Sequence, residues 1–416
     1  MWIIHNKYYD LSEFKYMHPG GCKILEECEG IDATAAFESY HALSNIGKIR
    51  AIMKNYEVSG ILSASEQKYT FNEDDFYCVV RKRVREHFNI DGYTRNSKTN
   101  SNTKWTWVWM FYAVRTFVFY SASFICTFCY TSYPFYIRAI TSVISGTTLM
   151  QWLFQVYHDA SHGAVSKHKQ VNKTITLIGS GIAFWDSTTW ISHHCISHHS
   201  FTGDYKLDPD MKHTHPFLKK SIESKADNVN SFEGISFILS IFPGMYFGQV
   251  LSYLMVQYKM KLWNFVINAR KTNIEWVIIL FQVSLMMYGG SYVLVALFFL
   301  SLNVNYSIGI LPDHDLFETN LNHKDGVTDW GELQVRHSGN FAPNNRLYTL
   351  LYGGINYQIE HHLFPSLCSY HLPSISHIVR ETCKEFDIKY VSMPTVKSAY
   401  LSAINNLVII NSVIRI

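Results

Sequence analysis

Apolar positions are unevenly distributed along this chain. In the first 60 residues, short apolar runs alternate with polar turns. β-like pieces at Trp2–Ile4 and Lys7–Leu11 precede a turn at His18-Pro19-Gly20-Gly21, and helical spacing follows over Lys23–Glu29 and Asp32–Tyr40. Residues 91–104 are polar and rich in Asn, Ser and Thr, which suits a linker or solvated loop. The character then changes. Trp105–Tyr130 is almost wholly apolar and aromatic, broken mainly by Arg115, and Ile137–Tyr157 is a second such stretch. A later pair, Asn273–Met287 and Ser291–Leu311, flanks Gly289-Gly290. A helix needs ~20 residues to cross a bilayer. The pattern therefore predicts four spans in two hairpins, at about 105-130, 137-157, 273-287 and 291-311. Two further apolar stretches, Ile175–Trp190 and Phe232–Gln257, are interrupted by Gly, Pro, Ser and Asp and are predicted to lie on the membrane surface.

An even number of spans keeps both termini on one side. Most Lys and Arg fall in 158–231, 258–272 and the C-terminal tail, so the positive-inside bias places these and the termini in the cytosol. The start, Met1–Asp10, lacks the apolar core of a secretory signal. Of 416 residues, 48% are hydrophobic and 17% charged, which excludes a disordered or collagen-like chain. A net charge of +3 demands no nucleic-acid partner. The eight cysteines show no paired zinc spacing and are expected to be reduced.

The 20 histidines are the compositional feature that hydropathy does not explain. His158 and His162 stand four apart at the cytosolic end of the second span, a spacing that puts both on one helical face. His193, His194, His198 and His199 form a second cluster. Gln358, His361 and His362 follow the last span, and His314 sits at the end of the fourth. Neutral imidazole is a common transition-metal ligand. A lone HxxxH is usually a pair of surface histidines. Three clusters beside the same membrane face can converge, and seven or eight nitrogens exceed what one tetrahedral zinc uses, so two metal ions are expected. HExxH, GxSxG and P-loop patterns are missing, and the clearest ExxH, Glu38–His41, lies in the N-terminal module.

The motifs closely resemble those of membrane fatty acid desaturases with a fused N-terminal cytochrome b5 domain, the front-end class. HPGG at 18–21 and GIDATAAFESYH at 30–41 resemble cytochrome b5. HDASH, HHCISHHSFTGDYKLDPD (193–210), DWGELQV (329–335) and NYQIEHHLFP (356–365) resemble the desaturase, and Gln358 in place of histidine marks the front-end class. The resemblance implies a mainly α chain: a small α+β cytochrome b5-like domain at 1-65, a linker and pre-membrane segment at 66-104, and a four-span helical desaturase domain at 105-416 with a cytosolic di-iron cap.

By the same resemblance, His18 and His41 are the axial ligands of a haem b. His158, His162, His194, His198, His199, His361 and His362 are ligands of two non-haem Fe ions, with His314 added and Gln358 as a weak amide ligand or a neighbour that orients one. The second box reads HxxxHH where many relatives have HxxHH, Cys195 occupies the shorter position, and His193 could substitute for His194. His337, Asn340, Asp159, Asp208 and Asp210 are expected to support the ligands. The implied reaction is oxygen-dependent insertion of a cis double bond between an existing double bond and the carboxyl end of a long-chain acyl lipid or acyl-CoA. Electrons would come from NADH-cytochrome b5 reductase through the haem, in the endoplasmic reticulum membrane with the active site cytosolic. Alternatives are a fatty acid hydroxylase, a sphingolipid long-chain-base desaturase, and a membrane-bound b5 electron carrier without catalysis.

Overall fold

The computed structural model describes residues 1–62, 68–90, 103–211, 219–221, 246, 250, 272–322, 324 and 326–412. Most of the polar stretch 91–104 and of the apolar stretch Phe232–Gln257 lies outside the described residues.

The N-terminal module is α+β. Strands β1 (Trp2–Ile4), β2 (Lys7–Tyr9) and β3 (Glu57–Leu62) form an antiparallel sheet in the order β1-β2-β3, with Trp2 opposite Tyr9. Its helices are α1 (Cys22–Glu27), α2 (Thr34–Tyr40) and α3 (Ile46–Met53). Trp2, Ile4, Tyr9, Leu11, Cys28, Ala33 and Phe37 form its core, which also takes in Ile196 from the second histidine cluster. The module therefore shares a core with the rest of the chain.

The segment expected to be a linker contains a 12-residue helix, α4 (Phe76–His87). Its many Arg and Lys residues disguise one apolar face. Phe76, Tyr77, Val80 and Val84 are buried against Trp330, Ile359, Leu363 and Phe364 of the histidine-bearing region.

Next come α5 (Trp107–Phe128) and α6 (Phe135–Trp152), then α7 (His158–Ser161), α8 (Lys169–Ile182), α9 (Ser187–Trp190) and α10 (His199–Phe201). After the undescribed stretch follow α11 (Asn273–Tyr288), α12 (Tyr292–His314) and α13 (Phe317–Asn320). The four predicted apolar segments thus appear as α5, α6, α11 and α12. Two are long and apolar enough to cross a membrane by that measure alone: α5, and the run Tyr292–Asn320 that begins with α12. Helix α11 is apolar but has 16 residues. Helix α6 carries Arg138, Ser142 and Ser145 on its buried face, where the Ser142 hydroxyl donates to the Leu294 carbonyl at 2.6 Å. At the end of the hairpins far from the histidines, Arg138 donates to the carbonyls of Thr127 (2.8 Å) and Gly289 (2.6 Å), tying the two turns together. A capping box from Thr272 and Glu275 starts α11, and the Glu275 carboxylate also accepts from the Ser187 N–H at 2.8 Å, fixing α11 to α9.

The C-terminal third adds α14 (Trp330–His337), α15 (Arg346–Leu351), α16 (Gln358–Leu363), α17 (Leu372–Glu385) and α18 (Val396–Ser412). A short parallel pair, β4 (Asn340–Phe341) with β5 (Ser392–Met393), closes this cap. Outward faces of the hairpins expose Phe111, Val114, Val118, Val277, Leu280 and Phe281.

Candidate metal centre

Two π-helical turns set the geometry of the histidines. One, Leu153–Tyr157, lies between α6 and α7 and leads directly into His158. The other, Ile191–His198, carries the second cluster. A π turn bonds i to i+5 and is wider than an α turn, and such turns are frequent at functional sites. The expected α-helical register is therefore replaced by one in which His194, His198 and His199 face the same space. The His194 ring stacks on His198 at 5.5 Å and meets His199 at 4.9 Å. His193 rotates away, with Nε2 2.6 Å from Asp210 Oδ1. Cys195 points its thiol at the Ser161 carbonyl, 3.6 Å away.

The structure brings the clusters together in two groups. His158, His162, His194 and His361 form one, and His198, His314 and His362 the other, with the donor atoms of each group within 4.8 Å of one another. Nε2 atoms approach at 3.0 Å for His158–His194 and 3.2 Å for His198–His314. His199 lies between the groups. Its Nε2 is 3.1 Å from that of His361, and its ring stacks on His362 at 4.3 Å. Gln358 reaches the second group, its amide nitrogen 3.0 Å from His314 Nε2 and 3.1 Å from His362 Nε2.

Four of these imidazoles have Nδ1 anchored to an oxygen outside the cluster. His198 Nδ1 faces Asp208 Oδ1 at 3.0 Å, and His314 Nδ1 faces the His337 carbonyl at 2.8 Å. His362 Nδ1 faces Gln334 Oε1 at 2.9 Å, and His162 Nδ1 faces the Tyr40 hydroxyl at 2.6 Å. An Nδ1–H donated outward leaves the Nε2 lone pair facing in, the tautomer a metal ligand needs. Burial, reinforced by neighbouring imidazoles, pushes the pKa of His158 to about 3 and those of His162, His194, His199, His361 and His362 well below the ordinary value, keeping them neutral. His198 differs: burial pushes its pKa down, but Asp208 and Asp210 outweigh burial and lift it.

The donor set fits a pair of non-haem metal ions. Nearly all the groups are nitrogen donors in neutral form, and three of their buried atoms have no hydrogen-bond partner among the described residues: His162 Nε2, His199 Nδ1 and Gln358 Oε1. The His162 and Gln358 atoms belong to side chains aimed into the two groups, where an ion would satisfy them.

The remaining expected residues lie around these groups. Asp159 accepts from Trp105 Nε1 at 3.1 Å and the Ser369 N–H at 3.2 Å, joining the first box to the C-terminal third. Burial outweighs those bonds and raises its pKa to about 6. The Asn340 amide donates to Glu360 Oε2 at 2.7 Å while its oxygen accepts from the Ile359 N–H at 2.9 Å, clamping α16. His337 packs its ring against Gly203, which has φ +79°. A Cβ there would lie 2.3 Å from the His337 ring, so the loop after the second box requires glycine. Sequence reasoning missed Gln334, Thr202 and Tyr40. Gln334 lay within the quoted DWGELQV motif, but its contact with His362 spans 28 residues and has no local signature.

In the N-terminal module, His18 opens the HPGG turn and His41 caps α2. Their ring centroids are 6.2 Å apart at 78°. His18 Nδ1 faces the Gly21 carbonyl at 3.3 Å and His41 Nδ1 the Phe37 carbonyl at 2.8 Å, so Nε2 is the nitrogen each ring can offer to a metal. A metal–imidazole bond is about 2 Å, so two opposed rings at this separation suit a six-coordinate iron between them. Burial, then His41, lowers the His18 pKa to about 4.

A histidine pair suited to haem and histidine groups suited to metal ions mark a metalloprotein of oxidation–reduction type. The chain belongs to the fatty acid desaturase family, whose model matches residues 133–394, and residues 1–61 match the cytochrome b5-like heme/steroid binding domain. It is similar to Delta(5) fatty acid desaturase A of Dictyostelium discoideum, 24% identical over 98% of this chain and 89% of the relative. Acyl-lipid (8-3)-desaturase B of the same organism is 26% identical over 98% and 90%, and acyl-lipid (8-3)-desaturase of Mortierella alpina is 24% identical over 97% and 92%. The chain is thus an oxygen-dependent desaturase with a haem-binding N-terminal domain and histidine groups suited to a di-iron centre.

Proposed function

We propose that this chain is a front-end acyl desaturase that inserts a cis double bond on the carboxyl side of an existing one in a long-chain polyunsaturated acyl lipid or acyl-CoA. The observation that carries the reading is the pair of inward-facing imidazole groups with Gln358 at their edge. When bound, the paired irons supply the oxygen-dependent oxidation that unactivated C–H bonds require, and the haem supplies single electrons. His158, His162, His194, His199 and His361 would hold one side of the non-haem pair, and His198, His314, His362 and Gln358 the other. His18 and His41 would hold the haem. Asp208, Gln334, the His337 carbonyl and Tyr40 fix the tautomers.

We read α5, α6, α11 and α12 as four spans. Their exposed Phe, Val and Leu faces suit lipid, since contiguous apolar surface of this kind is rare on soluble monomers. The histidine cap and termini would then be cytosolic, in the endoplasmic reticulum membrane, with boundaries near 1-65, 66-104 and 105-416. An NADH-cytochrome b5 reductase is the expected donor. The names of the relatives support an acyl-lipid substrate and a double bond close to the carboxyl end.

Expression in yeast fed C18–C22 polyunsaturated fatty acids, with mass spectrometry of double-bond position, tests this. A new double bond between the carboxyl group and the first existing one is expected. A hydroxylated product, or none from any acyl substrate, overturns it.

A further inference from the structure

Tyr40 belongs to the N-terminal module by sequence, yet its ring packs, partly buried, on the desaturase core. Its hydroxyl has two partners across the interface: the Cys195 carbonyl at 3.1 Å and His162 Nδ1 at 2.6 Å. A carbonyl can only accept, so the single phenolic proton goes to Cys195 and the phenol oxygen accepts the N–H of His162. That fixes the His162 tautomer. The other nitrogen, Nε2, is a buried atom with no hydrogen-bond partner among the described residues, and His162 belongs to the first metal group. The Tyr40 and His162 rings lie nearly parallel, 22° apart with centroids 6.0 Å apart, so the phenol also limits rotation of the imidazole. Tyr40 thus does for His162 what Asp208 does for His198 and Gln334 for His362. Those two acceptors come from the desaturase part of the chain, and Tyr40 immediately precedes His41.

We propose that Tyr40 is a positioning residue of the non-haem metal site, so that the seated haem module is a structural part of that site as well as an electron source. The proposal rests on the metal-ligand reading of the preceding subsection. Partners of this kind, when removed, cost about 10–100-fold in metal affinity. The haem pair is untouched by the contact, since His41 Nδ1 bonds the Phe37 carbonyl within α2.

The test titrates iron-depleted full-length protein in detergent with Co(II), reading ligand-field absorbance, with haem absorbance and the thermal midpoint read on the same samples. Tyr40→Phe keeps the ring and removes only the hydroxyl, while Tyr40→Leu removes both. The expected result is that both variants keep haem and that both lose at least 10-fold in affinity at one of the two cobalt equivalents, with the other unchanged. Wild-type affinity and spectrum in Tyr40→Phe overturn the proposal, as does a loss confined to Tyr40→Leu, which would mark simple packing. A wild-type protein that binds no cobalt beyond its haem iron defeats the metal reading itself, a distinct outcome.

Discussion

At the scale of single residues, the histidines separate by what holds their outer nitrogen. His361 projects from α16 into the first group, and His361→Ala should abolish product formation and lower non-haem iron while leaving the haem absorbance at full strength. Iron chelation assays and visible spectra on one preparation check this. Glu38 shows how charge secures the module. Its carboxylate is fully buried and meets His5 Nε2 at 2.8 Å, Arg50 at 3.2 Å, and Arg81 of α4. Burial pushes its pKa up, but the His5 hydrogen bond and the Arg81 charge outweigh burial and hold it at about 2, below the ordinary 4.5. A lowered folded value means this stabilisation is full above about pH 4.5 and is lost as pH falls toward 2. Glu38→Gln should therefore cost about 3 kcal/mol at neutral pH, because it leaves Arg81 without its partner in a buried site. The penalty should shrink on acidification between those values, measured as thermal midpoint against pH. The histidine motifs, the HPGG turn and the quoted aspartates were legible because each is local. Tyr40 and Gln334 were not, because their roles depend on partners 122 and 28 residues away.

At the scale of elements, the four apolar helices were readable from hydropathy nearly to their ends, whereas α4 and the π turns were not. Helix α4 is rich in Arg and Lys, and its apolar face has meaning only beside Trp330 and α16. The π turns leave no compositional trace, yet they decide that His194 rather than His193 faces the metal groups. The first π turn also packs against the chain just before the third box. Gly353, with φ +64°, lies so close to it that a Cβ would stand 2.3 Å from the Phe154 carbonyl oxygen. Gly353→Ala should combine backbone strain of about 1–3 kcal/mol with that clash. The expected outcome is a lower thermal midpoint together with reduced non-haem iron, because relief of the clash moves α16 away from His158. An unchanged iron content would show that the two boxes tolerate displacement.

At the scale of the whole molecule, the module and the desaturase region are joined through side chains from both. Tyr77 of α4 donates to the Glu38 carbonyl at 3.4 Å or the Leu363 carbonyl at 3.3 Å, so one helix touches the haem module and the third histidine box together. Arg85 donates to the carbonyls of Ala42 (3.0 Å) and Ser44 (2.7 Å) just beyond His41. His18→Ala should remove the haem and stop product formation in cells lacking any other cytochrome b5, while non-haem iron stays near the wild-type level. Full activity in that background would refute transfer within the chain. The domain order was legible from sequence because each motif names its own module. How the modules meet was not, since shared cores such as the one joining Ile196 to Trp2 and Phe37 form only after folding.

The insertion of Ile196 and Tyr40 across that boundary also bears on traffic between proteins. On the proposed route through the chain's own haem, the seated module occupies this face, and the flow of reducing equivalents should follow the number of desaturase molecules and not the abundance of free cytochrome b5 in the cell. Overproducing the free carrier would then leave turnover unchanged.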